Sequence, residues 1–331
     1  MQPMATSRSV SVTYVPADCG SVIPGKSKAP KAFQDVGIVE KLREAGIRSI
    51  SEHHPLDSPA TYKATTFSPG RVCNEDHNIE VCRRVRQAIS QNLSATPSTQ
   101  PPFQLVLGGE CCMSPAILSA FWHHAGSQSP PARVGLIYID ADTDLASPTD
   151  PSSTGIFAGM NMTHLTRSPG ALQSMEQFSR PSGGGPVCDP SNTVLFGTNM
   201  SSAGNKPEHL AYLFDNAYRV VSSASVARGP EERASEALRY LEDRVDVIMV
   251  HLDVDSIDPR MFPLANLPNF TGVGFEEMMR ALSVFVRSDK VGGLTIAEVN
   301  PDHDPGLKMV ERLADQVAGM VAARGGRVGV A

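Results

Sequence analysis

The segment Ile139-Asp140-Ala141-Asp142-Thr143-Asp144 constrains this chain more than any other. Three carboxylates recur at every second position, directly after the apolar run Val134, Leu136, Ile137, Tyr138 and Ile139. A run that short and that apolar predicts a strand buried on both faces, the habit of strands in a parallel sheet covered by helices. Its end delivers three negative charges into a small volume at the rim of the sheet. Like charges so close repel and raise one another's pKa unless cations neutralise them. A metal site is the simplest arrangement that tolerates them.

A second strand repeats the pattern. Val247, Ile248, Met249 and Val250 run into His251-Leu252-Asp253-Val254-Asp255-Ser256-Ile257-Asp258-Pro259. A single Asp-x-Asp is a common turn or cap feature. Two of them, each closing an apolar run, point to one site shared by two strand ends. Strand alternation aims His251 and Asp253 at the same face, whereas Asp258 before Pro259 reads as a cap or turn.

Strands are also expected near residues 10–15, 47–50, 103–107, 193–196, 218–221 and 293–297. Helical periodicity appears near 38–45, 78–93, 116–124, 208–214 and 275–286. Pro230 opens a further helix through Ala234, Ala237, Leu238 and Leu241, and Met309, Leu313, Val317, Met320 and Val321 mark the last one. Stretches 16–31, 94–102, 145–163 and 180–192 read as loops, and the one at 145–163 follows an acid-bearing strand, where substrate contacts are expected. The glycine-rich tail beyond Arg324 is expected on the surface or against a neighbour.

Alternating strands and helices predict an α/β protein. The expected form is a three-layer α/β/α sandwich with a mostly parallel, roughly eight-stranded sheet, one domain over residues 1–331. A (β/α)8 barrel is the alternative, and in either fold ligands bind at the carboxyl ends of the strands. Four strands carry polar cargo at that end: Gly109-Glu110-Cys111, Asp140 to Asp144, Asp253 with Asp255, and Glu298.

The net charge of -6 argues against a nucleic-acid or anionic-membrane partner. Six scattered cysteines without a CxxC pair argue against a structural zinc knuckle. No leader is evident at residues 1–9 and no apolar run is long enough to span a membrane, so a cytoplasmic protein with reduced thiols is expected.

Taken together these segments resemble the ureohydrolases: arginase, agmatinase, formiminoglutamase and their relatives. The resemblance covers nearly the whole chain. Residues 25–45 resemble the family's first loop and helix, 266–277 the loop before its penultimate helix, and Glu298-Val299-Asn300-Pro301 its last strand end. It implies an arginase-like fold, two Mn2+ ions, hydrolysis of a guanidine or amidine C–N bond in a small-molecule substrate, and a homo-oligomer. By position, Asp140, Asp144, Asp253 and Asp255 fall on metal ligands, with Asp140 and Asp253 bridging the ions, and Glu298 falls on the acid that faces the substrate cation.

Three positions depart from the family pattern. Its Gly-Gly-Asp-His is Gly108-Gly109-Glu110-Cys111 here, its Asp-Ala-His-x-Asp has Asp142 at the histidine, and its proton-shuttling histidine aligns with Ala158. Cys111 and Asp142 are therefore added to the candidate ligands. Carboxylates suit Mg, Ca and Mn, and a thiolate suits softer ions, so another divalent metal is admitted. Glu298, Asp142 and His164 are the candidate catalytic residues, with His251 a further stand-in for the missing shuttle. Cys112 is expected to pack at a helix start, and His123 and His124 to be solvated. The rival reading is a degenerate ureohydrolase fold that binds a ligand or partner without hydrolysing it.

Overall fold

The structure is a computed structural model and describes residues 9–64, 72–95, 101–181 and 183–324. The first eight residues, most of the polar loop at 94–102 and the glycine-rich tail lie outside the described residues.

The strands in chain order are β1 (Ser9–Tyr14), β2 (Ala17–Asp18), β3 (Ser49–His53), β4 (Ala60–Thr61), β5 (Phe103–Leu107), β6 (Val134–Ile139), β7 (Thr193–Thr198), β8 (Arg219–Ser222), β9 (Val247–Asp253) and β10 (Val291–Ala297). Eight of them form one sheet in the order β3-β1-β5-β10-β9-β6-β7-β8, every pairing parallel. The remaining two, β2 and β4, make a separate parallel ladder. The sheet is open, with β3 and β8 at its edges, so the sandwich is found and the barrel is not.

Burial explains the uniformly apolar strands. Ile137 and Ile139 of β6 point into one core with Leu105 and Leu107 of β5, while Leu136 and Tyr138 point into the other with Val106. The first core is covered by the helices Ile38–Glu44, Pro230–Glu242, Phe275–Arg287 and Lys308–Ala322. The second is covered by Glu75–Ser94, Ser114–Gly126 and Asn161–Thr166. Both sheet faces are thus dry, as parallel pairing requires.

Two loop expectations are corrected. Stretch 16–31 holds β2, and its end starts a helix, Ala29–Asp35, with Pro30 in the first turn, where a missing N–H costs nothing. Stretch 145–163 closes with a 3-10 turn at Phe157–Met160 and opens the helix Asn161–Thr166. His164, just past that stretch, is buried on this helix. Among the described residues no helix is long and apolar enough to cross a membrane.

Candidate metal centre

The four cargo-bearing strands, β5, β10, β9 and β6, are consecutive neighbours in the sheet. Their carboxyl ends meet around one small cavity of about 80 Å³. Cys111, Asp140, Asp142, Asp144, Asp253, Asp255 and Glu298 all line it, with Ala158, Gly159, Ala265, Asn266 and Leu267 completing the wall.

Local backbone geometry delivers each group. Beyond β5 the chain turns through Gly108 and Gly109, both at positive φ, and a Cβ on Gly109 would lie 2.7 Å from the Ala17 carbonyl oxygen. That turn brings Glu110 and Cys111 to the rim. Asp144 (φ 49°) and Glu298 (φ 64°), both lining the cavity, hold left-handed conformations that non-glycine residues rarely adopt, a strain on the order of 1 kcal/mol each.

Hydrogen bonds then fix the side chains. Asp140 Oδ1 accepts from the Asp142 amide at 2.7 Å, Asp253 Oδ1 from the Asp255 amide at 2.9 Å, and Asp255 Oδ1 from the Ala141 amide at 3.2 Å. The Tyr138 hydroxyl donates to Asp144 Oδ2 at 2.6 Å and accepts from Asn161 Nδ2 at 3.0 Å. Ser202 donates to Asp142 Oδ1 at 2.6 Å. The Cys111 thiol lies 3.8 Å from Asp144 Oδ2 and 3.6 Å from the Ala158 carbonyl oxygen.

The sequence model of the arginase family matches residues 8–323. The chain belongs to the arginase family. It is 24% identical over 305 residues to an arginase of Staphylococcus aureus, covering 91% of this chain and 93% of that one. Its fold superposes on the arginase of Bacillus caldovelox with a TM-score of 0.80 at 22% identity, covering 95% and 98% of the two chains. It is also similar to a proclavaminate amidino hydrolase from Streptomyces clavuligerus, with a TM-score of 0.65 at 19% identity over 97% and 93%.

Within this arginase-family cavity the five aspartates, unlike Glu298, lack counter-ions among the described residues. Among the described residues no lysine or arginine pairs with Asp140, Asp142, Asp144, Asp253 or Asp255, and Asp140 Oδ2 is buried without any hydrogen-bond donor. Burial, then mutual repulsion, pushes the carboxyls of Asp140, Asp253 and Asp255 far above the usual range. Burial likewise raises Asp144 to about 8, against the opposing hydrogen bond from Tyr138. A crowd of carboxylate acceptors with an orphaned oxygen fits hard divalent cations. Two triads each bring their ligand atoms within 4.8 Å of one another: Cys111, Asp253 and Glu298, and Asp140, His251 and Asp253.

The histidines divide. His251 stacks on Tyr138, its Nδ1 lies 3.1 Å from Ser114 Oγ, and its Nε2 has no partner. His164 packs against Phe157 with neither ring nitrogen hydrogen-bonded, and it is not among the residues lining the cavity. Burial pushes both imidazoles down to about 3. His123 is exposed beside Arg86 and His124 is half-buried. Asp258 accepts from the Arg260 amide and guanidinium, and Cys112 is buried in the core under its helix.

Sequence reasoning missed Lys26. Its side chain is 1% exposed, and its ammonium lies 3.2 Å from Glu110 Oε1 and 3.2 Å from Glu298 Oε2, donating also to Ser21. Burial alone would lower its pKa, but the facing Glu298 and Glu110 carboxylates outweigh burial and hold it above the ordinary value. The signal was indirect: two glutamates at the ends of adjacent strands, Glu110 buried after β5 and Glu298 partly buried after β10, need a cation, and Gly25-Lys26 lies in the stretch read only as loop. Tyr138, Ser202 and Asn161 were missed because hydroxyls and amides carry no spacing pattern.

Proposed function

We propose that this protein is a divalent-metal-dependent hydrolase that cleaves the C–N bond of a planar guanidino- or amidino-type carbon. The observation that carries the reading is the convergence of five aspartates from two adjacent strand ends on one cavity, where no lysine or arginine among the described residues pairs with them. Membership in the arginase family and the likeness to an enzyme titled an amidino hydrolase support the same chemistry.

Asp140, Asp144, Asp253 and Asp255 would hold the ions, with Asp142 and Cys111 beside them. Bound divalent ions would supply the positive charge that keeps these acids ionised and makes a water nucleophilic near neutral pH. The rest falls to the chain's own residues. Tyr138 and Ser202 keep Asp144 and Asp142 in fixed orientations, so little reorganisation accompanies the reaction. Glu298, fixed by the Cys111 amide at 3.2 Å, orients the substrate's planar group against the aspartates. In the net reaction the water oxygen bonds the planar carbon, the C–N bond breaks, and the departing nitrogen takes a proton that the water gives up. With the shuttle position occupied by Ala158, the role of passing that proton is assigned to Asp142, which lines the cavity and accepts from Ser202.

The experiment combines metal analysis with turnover of a panel of guanidino and amidino compounds after Mn(II) reconstitution. Asp253→Asn, which keeps the acceptor for the Asp255 amide, should lose both metal and turnover. A folded, metal-free Asp253→Asn protein that still releases product would sink the proposal. Absence of bound metal after reconstitution of the unsubstituted protein would favour a binding protein on a degenerate fold.

A further inference from the structure

We infer that His251 is a metal ligand, supplying through Nε2 a neutral nitrogen donor to an ion held by Asp140 and Asp253. The inference rests on the metal reading of the cavity and not on hydrolysis. Tyr138 of β6 and His251 of β9 are register partners. Asp140 and Asp253 each follow two residues later, so strand alternation places both acids on the face that carries the two rings. One ring nitrogen of His251 and one oxygen from each aspartate lie within 4.8 Å of one another. His251 Nε2 and Asp140 Oδ2 are both buried, and neither has a hydrogen-bond partner.

Hydrogen bonding decides which nitrogen is open. Ser114 Oγ donates its one proton to the Cys111 carbonyl oxygen at 2.8 Å, so toward His251 Nδ1, 3.1 Å away, it accepts. Nδ1 therefore carries the ring proton and Nε2 the lone pair, the tautomer that a metal-binding imidazole needs. A doubly protonated ring would aim an N–H from Nε2 at a carboxylate, and no such bond forms. The ring is also fixed in direction: it stacks on Tyr138 at 4.9 Å with an interplanar angle of 7°, and the residue is 1% exposed. His251 does not line the open cavity. It precedes Asp253 on the strand and stands on the inner side of the acids, which suits it to hold an ion from within rather than to exchange protons with substrate. An unpaired lone pair beside buried carboxylates is a cost of folding that a shared ion removes.

Pulsed EPR of protein loaded with substoichiometric Mn(II) tests the assignment without any substitution. Protein made with histidine of ordinary or of heavy nitrogen should show a directly bound nitrogen whose coupling changes with the isotope. Among the described residues no histidine lines the cavity, and His251 alone joins a candidate ligand group. The coupling should therefore vanish in His251→Asn, whose amide keeps a donor for Ser114 and removes Nε2. Mn(II) affinity of that variant should fall roughly tenfold or more, at least what losing an outer-shell partner costs. The isotope comparison decides the matter even where His251→Asn fails to fold. Mn(II) binding without nitrogen coupling in the unsubstituted protein, or a coupling that persists in folded His251→Asn, overturns the inference. An unsubstituted protein that binds no Mn(II) overturns it together with the metal reading. Histidine coupling in a protein that turns over no guanidino or amidino compound keeps the ligand and sinks only the hydrolase reading.

Discussion

Asp140 and Asp253 stand side by side, one residue beyond the last paired positions of neighbouring parallel strands, because β6 and β9 register Ile139 against Leu252. Each is almost fully buried, and with His251 they offer ligand atoms within 4.8 Å of one another. An ion between them would neutralise both, so metal binding and folding stability should be linked. At a free ion concentration a hundred times Kd, one site adds about 2.7 kcal/mol. Thermal unfolding with and without Mn(II) should show a rise of several degrees that Asp140→Asn abolishes. An equal rise in the variant would mean that the ion binds elsewhere.

The pH dependence of the metal-free protein should have an unusual sign. Asp144 is raised from 3.8 to about 8, and Asp140, Asp253 and Asp255 are raised with it by burial and repulsion. A carboxyl whose folded pKa lies above its unfolded value favours the fold in its neutral form. Its contribution is complete below the unfolded pKa and is lost as pH rises through the folded one. Chelator-treated protein should therefore lose stability steadily from about pH 4 to pH 8, a window set by the Asp144 shift. Saturating Mn(II) should flatten or reverse that slope, since an ion favours the ionised acids. Denaturant midpoints across the pH range measure both, and a metal-free protein more stable at pH 8 than at pH 5 would contradict the expectation.

Why the acids were legible and the lysine was not follows from how each is encoded. Asp140 to Asp144 and Asp253 to Asp255 sit at strand ends, and strand ends announce themselves by buried apolar runs such as Val134 to Ile139. All four cargo-bearing strands proved to be neighbours, which topology decides and local pattern does not. Lys26 meets Glu110 and Glu298 only through tertiary folding, from a 3-10 turn with no apolar period. The helix Ala29–Asp35 was hidden because Pro30 reads as loop punctuation unless it is known to lie in a first turn. The burial of His164 was not legible for a related reason: Asn161–Thr166 is too short to display helical periodicity.

Tyr138 links core packing to the site. Its ring stacks on His251 at 4.9 Å, and its hydroxyl joins Asp144 to Asn161. Tyr138→Phe keeps the ring and removes the bridge. Leaving Asp144 Oδ2 with only the weak Cys111 thiol donor and the Asn161 amide without its hydroxyl partner should lower stability by about 1–3 kcal/mol. Loss of a group that orients a metal ligand should also weaken Mn(II) binding by roughly 10–100-fold. Metal titration beside thermal unfolding separates the two effects. Unchanged affinity in the variant would show that Asp144 needs no help from Tyr138.

Cys111 is the residue expected to set which metals the cavity prefers. Its thiol is buried against Asp144, and its pKa stands well above the usual range through the hydrogen bond with Cys112 and through burial. The metal-free site therefore holds it as a neutral thiol, and an ion that uses the sulfur must first displace the proton. Zn(II) gains more from a thiolate than Mn(II) does, whereas the surrounding aspartates serve both. Cys111→Ser removes the soft donor at nearly constant volume. It should weaken Zn(II) by tenfold or more, change Mn(II) by less than threefold, and flatten the pH dependence of Zn(II) affinity. Competition titrations at two pH values read all three quantities. If the two metals weaken in parallel, the sulfur lies outside the coordination sphere and the aspartates alone set metal preference.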